Sequence, residues 1–487
     1  MSFADDVAAL CVRAGDSFPE PFAGEARELQ ARLDGPLRVA VAGRVKAGKS
    51  TLLNALVGER LAPTDAGECT RIVTWYERGP AYDVEVELDD GSRRPLAFHR
   101  NGALHIDLEG LHPDEVASLR VGWPSQRLRE LTLIDTPGLA SVNEENSART
   151  EDFLTPRADR PGSADAVLYL LRHVHRHDVE FLDAFMDRRV VHASPANAIA
   201  VLSRADEIGA GRLDALESAG RIAARYRSEP QLRSLVSTIV PVAGLLAETG
   251  ATLREDEFAA LRQLADEQSG VLNALLVTAD RFVEPSVGPL TVELRRDLLD
   301  RFGMFGVRFA VDQIRRGAAG SAAELSTAMV AASGLGDLQR VIRERFLPQA
   351  HALQARRALA DLRSLANRAR DTMPAEAAEL DRSIEQLEAA ATEVAAIRLL
   401  HLVISDQTRL SDDEVTEVRA LVVEGDDRRR LGLDPASTSE EVQQEALAAA
   451  GRWHTRSGDP LADPVTVEAC ELAARLFEQV YARAVSP

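Results

Sequence analysis

Eight consecutive residues have the types and the spacing needed to hold the phosphates of a nucleotide. The segment Gly43-Arg44-Val45-Lys46-Ala47-Gly48-Lys49-Ser50 matches the pattern GxxxxGK[ST]. In such a loop the glycines let successive backbone N–H groups and the start of a helix face the phosphates. We therefore expect Lys49 to reach the β- and γ-phosphates and the Ser50 hydroxyl to bind Mg²⁺.

The residues on either side of this loop agree with that interpretation. An apolar run of β type, Leu37 to Ala42, precedes it, and a helical pattern, Ser50 to Leu56, follows it. The motif requires a strand before and a helix after, so the context disfavours a chance glycine loop. The residues predicted to touch the phosphates are Gly43, Ala47, Gly48, Lys49, Ser50 and Thr51.

Asp135 is the first of two distant acidic residues that could complete a nucleotide site. It ends the apolar run Leu131 to Ile134 and opens the sequence Asp135-Thr136-Pro137-Gly138. Ligands of open α/β sheets bind at the carboxyl ends of strands. We expect Asp135 to hold Mg²⁺ directly or through water, and Gly138 to offer its N–H to the γ-phosphate. The alternative is an ordinary turn after a strand.

Asp206 is the second acidic residue, in Ser203-Arg204-Ala205-Asp206 at the end of another apolar run. A carboxylate there can accept hydrogen bonds from the ring N–H and the exocyclic amine of guanine, a pattern that adenine lacks. Ser203 and Arg204 occupy the first two positions of the usual [NT]KxD pattern. We predict that these three residues bind the base and that GTP/GDP is preferred, with an ATPase as the alternative.

A threonine is needed to close over the metal ion, and three lie in the segment Arg60 to Arg78, between the phosphate loop and Asp135. We favour Thr70 as the third metal ligand beside Ser50 and Asp135. Thr74 is interpreted as a strand residue and Thr64 as a turn residue after a proline.

The elements that must position these residues form an alternating pattern up to about Pro289. Four more apolar runs predict buried strands, and Tyr82 to Leu88 predicts a half-exposed strand in an edge hairpin. The four runs are Leu131 to Ile134, Ala166 to Leu171, Ala198 to Leu202 and Ser237 to Val242. The spacing between them favours a mainly parallel sheet with helices on both faces.

Beyond Pro289 the strand pattern ends and helical periodicity takes over. Apolar stripes at 353–365, 380–397 and 465–480 predict three long helices, and Gly425 to Ser439 is the clearest loop candidate. The predicted fold class is therefore an α/β P-loop GTPase domain followed by an extended α-helical bundle.

Composition and charge exclude several other classes. The 487 residues carry a net charge of −20, so bulk nucleic-acid binding is not expected. The three cysteines form no CxxC pair, which suits the reducing cytoplasm. No run approaches the roughly 18 to 20 apolar residues of a spanning helix. Membrane contact, if any, should be peripheral, at the inner face of the plasma membrane.

Taken in this order, the motifs resemble those of bacterial dynamin-like GTPases and, more closely, the isoniazid-inducible proteins of mycobacteria. The closer likeness lies in the segments 37–43, 46–52, 62–66, 70–75, 203–212 and 301–306. The resemblance implies N-terminal neck helices (1–34), a dynamin-type GTPase domain (35–290) and a helical bundle (291–487). It also implies that the last helix, at about 465–484, returns to the neck.

The resemblance further implies GTP hydrolysis with Mg²⁺, coupled to self-association and to membrane binding or remodelling. The partner would be a second copy, in a GTP-dependent homodimer, or a related dynamin-like protein. The alternative is a soluble regulatory switch whose helical half is a partner-binding scaffold without lipid contact.

Two positions depart from eukaryotic dynamins. Val45 and Lys46 replace the Gln-Ser pair of the phosphate loop, and Lys46 is similar in placement to the internal arginine finger of guanylate-binding proteins. Lys46 is thus a candidate catalytic residue beside Lys49, Ser50 and Thr70, with a solvated loop lysine as the alternative. Leu139 follows Gly138 where Ras-like GTPases have glutamine, so slow basal turnover is expected.

Two further features have mainly structural interpretations, and a third is a candidate for membrane contact. The alternating His173, His175 and His177 are more typical of a solvated loop than of a metal site. The apolar cluster between Phe302 and Phe309 favours core packing over membrane insertion. Arg428 to Arg430 is the better candidate for a lipid headgroup contact.

Overall fold

The computed structural model describes most of the chain as a sheet domain and two helical bundles. The described residues are 3–62, 72–88, 91–100, 104–112, 115–137, 164–172, 198–229, 232, 236–284, 289–347, 350–390, 392–404, 408–457 and 462–485.

Within these residues, nine strands form one mixed sheet and two more form a separate hairpin. The strands are β1 (Leu37–Gly43), β2 (Thr74–Arg78), β3 (Asp83–Leu88), β4 (Arg93–Pro95), β5 (Phe98–Arg100), β6 (Leu104–Ile106), β7 (Val116–Trp123), β8 (Leu131–Asp135), β9 (Ala166–Leu171), β10 (Ala198–Ser203) and β11 (Ile239–Val242). The sheet order is β11-β10-β9-β1-β8-β2-β7-β3-β4, and β5 pairs with β6.

The half of the sheet from β11 to β8 is parallel, as the apolar runs predict. Each run is long enough for one buried strand, and both faces are covered, so hydrophobic residues occupy consecutive positions. In this arrangement β1 lies between β8 and β9, with Val41 opposite Asp135. The carboxyl ends of these strands therefore meet at one edge.

The other half was predicted only in part. β3 is half-exposed as expected, but β4 lies outside it at the edge of the sheet. β2 runs antiparallel to β8 and places Thr74 opposite Asp135, so Thr74 is a strand residue as interpreted. β2 and β7 were missed because their polar and apolar residues do not form an uninterrupted apolar run.

Eighteen helices accompany the strands among the described residues. They are α1 (Phe3–Ser17), α2 (Phe22–Leu33), α3 (Lys49–Val57), α4 (Ala215–Ser228), α5 (Gly244–Ala251), α6 (Glu255–Ala265), α7 (Ser269–Leu275), α8 (Ala279–Phe282), α9 (Val292–Arg315), α10 (Ala322–Ala332), α11 (Leu335–Val341), α12 (Ala350–Ala369), α13 (Pro374–Ala390), α14 (Thr392–Ile404), α15 (Asp412–Val423), α16 (Asp427–Arg430), α17 (Ser439–Ser457) and α18 (Pro464–Val485). A π-helical segment, Ile342–Phe346, follows α11.

The two faces of the sheet bury separate hydrophobic cores, because successive strand residues point to opposite sides. Ala40 and Ala42 of β1 face one core, and Val39 and Val41 face the other. Helices after residue 290 complete both cores, through residues such as Phe302 in the first and Phe346 in the second.

The sheet domain therefore extends to about Leu353, past the boundary near residue 290 that the loss of strand pattern indicates. The sequence pattern ends where strands end, whereas the helices that cover the sheet continue. Phe302, Phe305 and Val307 are buried in this core, which confirms core packing over membrane insertion.

The N-terminal helices α1 and α2 pack with α12 and α13 around an apolar cluster that includes Leu10, Leu29 and Leu362. We call this four-helix group the neck bundle. Buried charges link its helices: Asp361 accepts hydrogen bonds from Arg32 Nη1 at 3.0 Å and from Arg357 Nη2 at 2.7 Å. Gln354 Nε2 donates to Gly35 O at 2.8 Å and ties α12 to the chain just before β1.

The remaining helices α14, α15, α17 and α18 enclose a separate cluster, which we call the terminal bundle. The buried face of α18 packs on α17 and α14, with Ala469 and Phe477 in the same cluster as Trp453. The prediction that the last helix returns to the N-terminal helices is therefore wrong. Its apolar stripe indicates a buried face, but the stripe does not specify which helices cover that face.

Two other details of the helical half differ from the sequence pattern. The stripe at 380–397 is divided between α13, in the neck bundle, and α14, in the terminal bundle. Within the predicted loop, Asp427–Arg430 form one helical turn. Arg428 Nε donates to Ser437 O and Arg430 Nε to Glu424 O, both at 2.7 Å, so two of the three arginines are half-buried and bonded to nearby backbone carbonyls. No helix in the described ranges is long and apolar enough to cross a bilayer.

The neck ion network makes a stability prediction. Asp361→Ala leaves the guanidiniums of Arg32 and Arg357 without their shared carboxylate, and both side chains are at least four-fifths buried. We expect the free energy of unfolding to fall by about 3 kcal/mol, measured by urea denaturation with circular dichroism. The matched control Glu379→Ala breaks an exposed pair with Arg382 and should cost less than about 1 kcal/mol. Equal losses of stability in the two variants would contradict the stabilising role of the buried Asp361 network.

Candidate nucleotide-binding site

The phosphate loop leaves the sheet at the end of β1 and enters α3 at Lys49. Gly43 has φ +145°, and a Cβ there would lie 2.5 Å from the Leu170 carbonyl oxygen of β9. A side chain is therefore excluded where the loop begins. Gly48 has φ +94° in the left-handed region at the N-terminus of α3, a conformation that glycine adopts without strain. These two turns allow the backbone to curve around an anion.

Lys49 lies folded over this loop. Its Nζ donates to Gly43 O at 3.2 Å and to Arg44 O at 3.4 Å. Burial lowers the pKa of Lys49, and the nearby Asp135 carboxylate partly opposes this effect. Bound phosphates would supply the negative charge that favours the ammonium form.

The Ser50 hydroxyl and the Asp135 carboxylate form the metal side of the site. Ser50 Oγ donates to Asp135 Oδ2 at 3.0 Å. Asp135 Oδ1 is buried and has no hydrogen-bond partner among the described residues. Burial raises the pKa of Asp135, while Lys49, the Ser50 hydroxyl and the Thr136 N–H lower it. A hydroxyl beside a carboxylate with an unused oxygen is a hard oxygen donor set, which fits Mg²⁺.

A cavity of about 160 Å³ joins the phosphate loop to the predicted base-binding residues. Its lining includes Ala47, Gly48, Thr51, Ser203, Arg204, Asp206 and Gly244. Gly244 follows β11 and lies against α3, since a Cβ at that position would be 3.6 Å from Thr51 Cγ2. The loop after β11, a weak candidate from sequence, thus forms one wall of the cavity.

The predicted residues therefore divide into three groups. Gly43, Lys49, Ser50 and Asp135 lie on the phosphate and metal side, Ser203, Arg204 and Asp206 lie on the base side, and the cavity between them is also lined by Ala47, Gly48 and Thr51. Lys46 is exposed on the phosphate loop with φ +62°. Thr70 and Gly138 lie outside the described residues, as do His173, His175 and His177, so their predicted roles stay predictions.

Asp206 is a buried residue of the cavity lining, and its surroundings disfavour ionisation. Burial raises the pKa of Asp206 to about 6; the Glu207 charge adds to the rise, while a backbone hydrogen bond and Arg204 oppose it. Arg204 Nη1 donates to Glu207 Oε1 at 2.5 Å, which holds its guanidinium beside the cavity. Ser203 Oγ donates to Leu171 O at 3.2 Å, so this hydroxyl ties β10 to β9.

A buried polar network that sequence reasoning missed links the two walls of the cavity. Asn54 accepts hydrogen bonds from the backbone N–H groups of Leu61 and Ala62 at 2.9 and 2.7 Å. Its amide nitrogen donates to Ala62 O at 3.0 Å and to Glu248 Oε1 at 3.4 Å. Arg60 Nε donates to the same Glu248 oxygen at 2.7 Å.

Asn54 belongs to α3 and Glu248 to α5, the helix that begins at Gly244, so the network fixes the phosphate-loop helix against the base-side helix. Its signal in the sequence is a single asparagine inside the apolar run of α3. That signal shows a buried polar group but does not name its partners.

A second missed residue, Arg308 of α9, holds the chain that follows Asp206. Arg308 Nη1 donates to Ala210 O at 3.0 Å and to Gly211 O at 2.6 Å. Its Nε donates to Leu276 O at 2.9 Å at the end of α7. The base-side loop is thus anchored by a helix that lies about a hundred residues later in the chain.

Comparison with known proteins shows the family of this chain. Residues 39–161 match the profile of the Dynamin family. The isoniazid-induced protein IniC of Mycobacterium tuberculosis is 41% identical over 456 residues, which cover 93% of this chain and 91% of IniC. The chain belongs to the IniC family of bacterial dynamin-like proteins.

Two further similarities are more limited. A bacterial dynamin-like protein of Nostoc punctiforme is 46% identical over 127 residues, covering 23% of this chain and 18% of that protein. A solved structure of an oligomerised bacterial dynamin pair aligns with 99% of this chain and 95% of its own, at 12% identity and a TM-score of 0.32. The identity with IniC confirms the predicted family. The predicted fold class, an α/β GTPase domain with a helical half, is also confirmed.

The raised pKa of Asp206 makes a prediction about pH. Only the ionised carboxylate can accept both guanine N–H groups, and its protonated fraction grows as the pH falls below about 6. GDP affinity should therefore be nearly constant above pH 7 and about tenfold weaker at pH 5, measured by calorimetry.

The terminal phosphate of GDP titrates in a similar range, so Asp206→Asn is the control. This variant keeps the phosphate loop and should bind GDP more weakly at neutral pH, with a smaller loss on acidification. The same pH profile in both proteins would exclude Asp206 as the base acceptor.

Proposed function

We propose that this dynamin-like protein binds GTP with Mg²⁺ and hydrolyses it to GDP and phosphate. The observation that carries the proposal is that the phosphate loop lines one cavity together with Asp206 and leads directly to Ser50, whose hydroxyl is paired with Asp135. The backbone turn at residues 43–48, the Ser50–Asp135 pair and Asp206 come from separate parts of the chain. They match the three parts of a guanine nucleotide: phosphates, metal and base.

Each group has one task in this proposal. The N–H groups of the loop and of the first turn of α3 bind phosphate oxygens, and Lys49 moves from the loop carbonyls to the β- and γ-phosphates. Ser50 and Asp135 hold Mg²⁺, which supplies charge stabilisation at the transferring phosphate. Asp206 accepts the guanine N–H groups and excludes adenine. Thr70 and Gly138 are proposed to complete the metal and γ-phosphate contacts.

Lys46 is proposed to neutralise charge that develops in the transition state. Its side chain is exposed, and it makes no hydrogen bond or ion pair with the described residues. It is therefore free to turn towards the phosphates without breaking a contact. Val45 beside it is also exposed, at 46%, so this rim of the loop is open to a partner molecule.

Self-association is proposed as the trigger for turnover, because the rim that bears Val45 and Lys46 can be covered by a second GTPase domain. The partner would be a second copy in a GTP-dependent homodimer, or a related dynamin-like protein. Hydrolysis would then move the helical bundles. We propose that the protein makes peripheral contact with the inner face of the plasma membrane.

One observation favours the second candidate, a soluble regulatory switch. In the described part of the two bundles, the exposed large apolar side chains are Val12 and Leu447, on α1 and α17. They belong to different bundles, so they do not form one apolar surface of the kind that inserts into lipid. Lipid contact by this chain would then depend on charged groups.

These proposals predict how GTP turnover depends on protein concentration. We expect slow turnover per molecule at low concentration and a rise as dimers form, measured by phosphate release. Lys46→Ala should retain GTP affinity, but its dimer should hydrolyse GTP at least about 10²-fold more slowly than the parent dimer. The reason is that an arginine finger raises the hydrolysis rate by about 10³ to 10⁵. Lys46→Arg keeps the positive charge and adds a planar guanidinium, so it should restore the hydrolysis rate.

Two outcomes would count against the proposal. If Lys46→Ala hydrolyses GTP at the parent rate, Lys46 does not act as a finger. If the total rate of phosphate release is strictly proportional to protein concentration, self-association does not activate hydrolysis. Anionic liposomes provide the second arm of the experiment: stimulation favours membrane coupling, and an unchanged rate favours the soluble switch.

A further inference from the structure

A cavity of about 390 Å³ lies between the sheet domain and the terminal bundle, apart from the nucleotide cavity. α4 and the start of β11 form one wall, and α14 and α15 form the opposite wall. The π-helical segment before α12 contributes Arg345. A volume of this size is within the range of pockets that bind small molecules.

The polar part of this cavity is strongly basic. Arg227, Arg345 and Arg419 line it, and Glu424 is the one acidic residue among the described residues of the lining. The cavity thus carries a positive charge in a chain whose net charge is −20. Three guanidiniums that face one space are suited to a phosphate, because the planar fork forms paired hydrogen bonds with its oxygens.

Among the three arginines, Arg345 gives the clearest indication of an anionic ligand. It is half-buried, and it makes no hydrogen bond or ion pair with the described residues. Burial lowers the pKa of Arg345, and the charges of Glu424 and Glu344 only partly compensate. A guanidinium that is partly removed from water without a close partner carries a desolvation cost, and an anion in the cavity would reduce that cost.

The remainder of the lining is apolar and comes from both walls. Leu232, Val236 and Ile239 belong to the sheet domain, and Leu400, Ile404 and Val423 to the terminal bundle. A free inorganic anion would leave these surfaces without a partner. A ligand that joins an anionic head to an apolar body would use both parts.

We propose that this cavity binds an amphipathic phosphate, with its phosphate on Arg345 and Arg419 and its apolar part between Ile239 and Ile404. The ligand contacts the sheet domain and the terminal bundle together, so its binding stabilises their association. The phosphate could belong to a membrane lipid or to a soluble phosphomonoester. The proposal does not depend on GTP hydrolysis.

Hexyl phosphate is a suitable probe, titrated by calorimetry into the full chain saturated with GDP and Mg²⁺, so that the phosphate loop is occupied. The parent protein should bind it more tightly than inorganic phosphate and should not bind hexanol. Arg345→Met should weaken binding by about tenfold or more, because it removes a charged hydrogen-bond donor. Arg343→Met, an exposed arginine two residues earlier, is the matched control and should bind like the parent.

Ala420→Leu tests the apolar part with every charge in place, since it fills the cavity from α15. It should also weaken binding, with unchanged circular dichroism and GDP affinity as evidence of folding. Vesicles that contain phosphatidic acid distinguish the two sources of the phosphate. If the protein binds these vesicles and the binding requires Arg345, the ligand is a lipid. If the protein binds hexyl phosphate but not the vesicles, the ligand is a soluble phosphomonoester.

The proposal would be overturned by a parent protein that does not bind hexyl phosphate. Equal binding by the parent and Arg345→Met would also overturn it, as would inorganic phosphate that binds as tightly as hexyl phosphate.

Discussion

The hydrogen bond between Ser50 and Asp135 is the interaction on which the site depends. It exists because β1 and β8 are parallel neighbours, which places Asp135 opposite Val41, just before the phosphate loop. One carboxylate oxygen is used by the hydroxyl, and the other is buried without a partner in the described structure. Such a group is costly unless a cation or a proton joins it. Nucleotide and metal together would resolve the cost for Asp135 and for the buried Lys49.

The parts of this site that the sequence predicts are those with local signals. The glycine pattern, the apolar strands and the acidic residues at strand ends each occupy a few consecutive positions, and parallel pairing brings strand ends together. Gly43 illustrates this: its role follows from the motif, and the close approach of Leu170 O adds a second reason for it. Thr70 stays a prediction, because it lies outside the described residues.

The parts that could not be predicted depend on contacts between distant segments. The partners of Asn54, the anchoring of the base-side loop by Arg308 and the packing of the last helix all join residues far apart in sequence. An apolar stripe or an isolated polar residue shows that a group is buried, but many partners would satisfy it equally well. The same limitation explains why the sheet domain extends past residue 290: helices that cover a sheet have the same periodicity as helices of a bundle.

The most direct test of the site is the Mg²⁺ dependence of GTP affinity in the parent protein and in Asp135→Asn. If Ser50 and Asp135 hold the ion, parent affinity should fall about 10- to 100-fold when Mg²⁺ is replaced by EDTA. The variant should bind GTP in Mg²⁺ about as weakly as the parent does in EDTA. Retention of the full Mg²⁺ dependence by Asp135→Asn would contradict the proposed metal site.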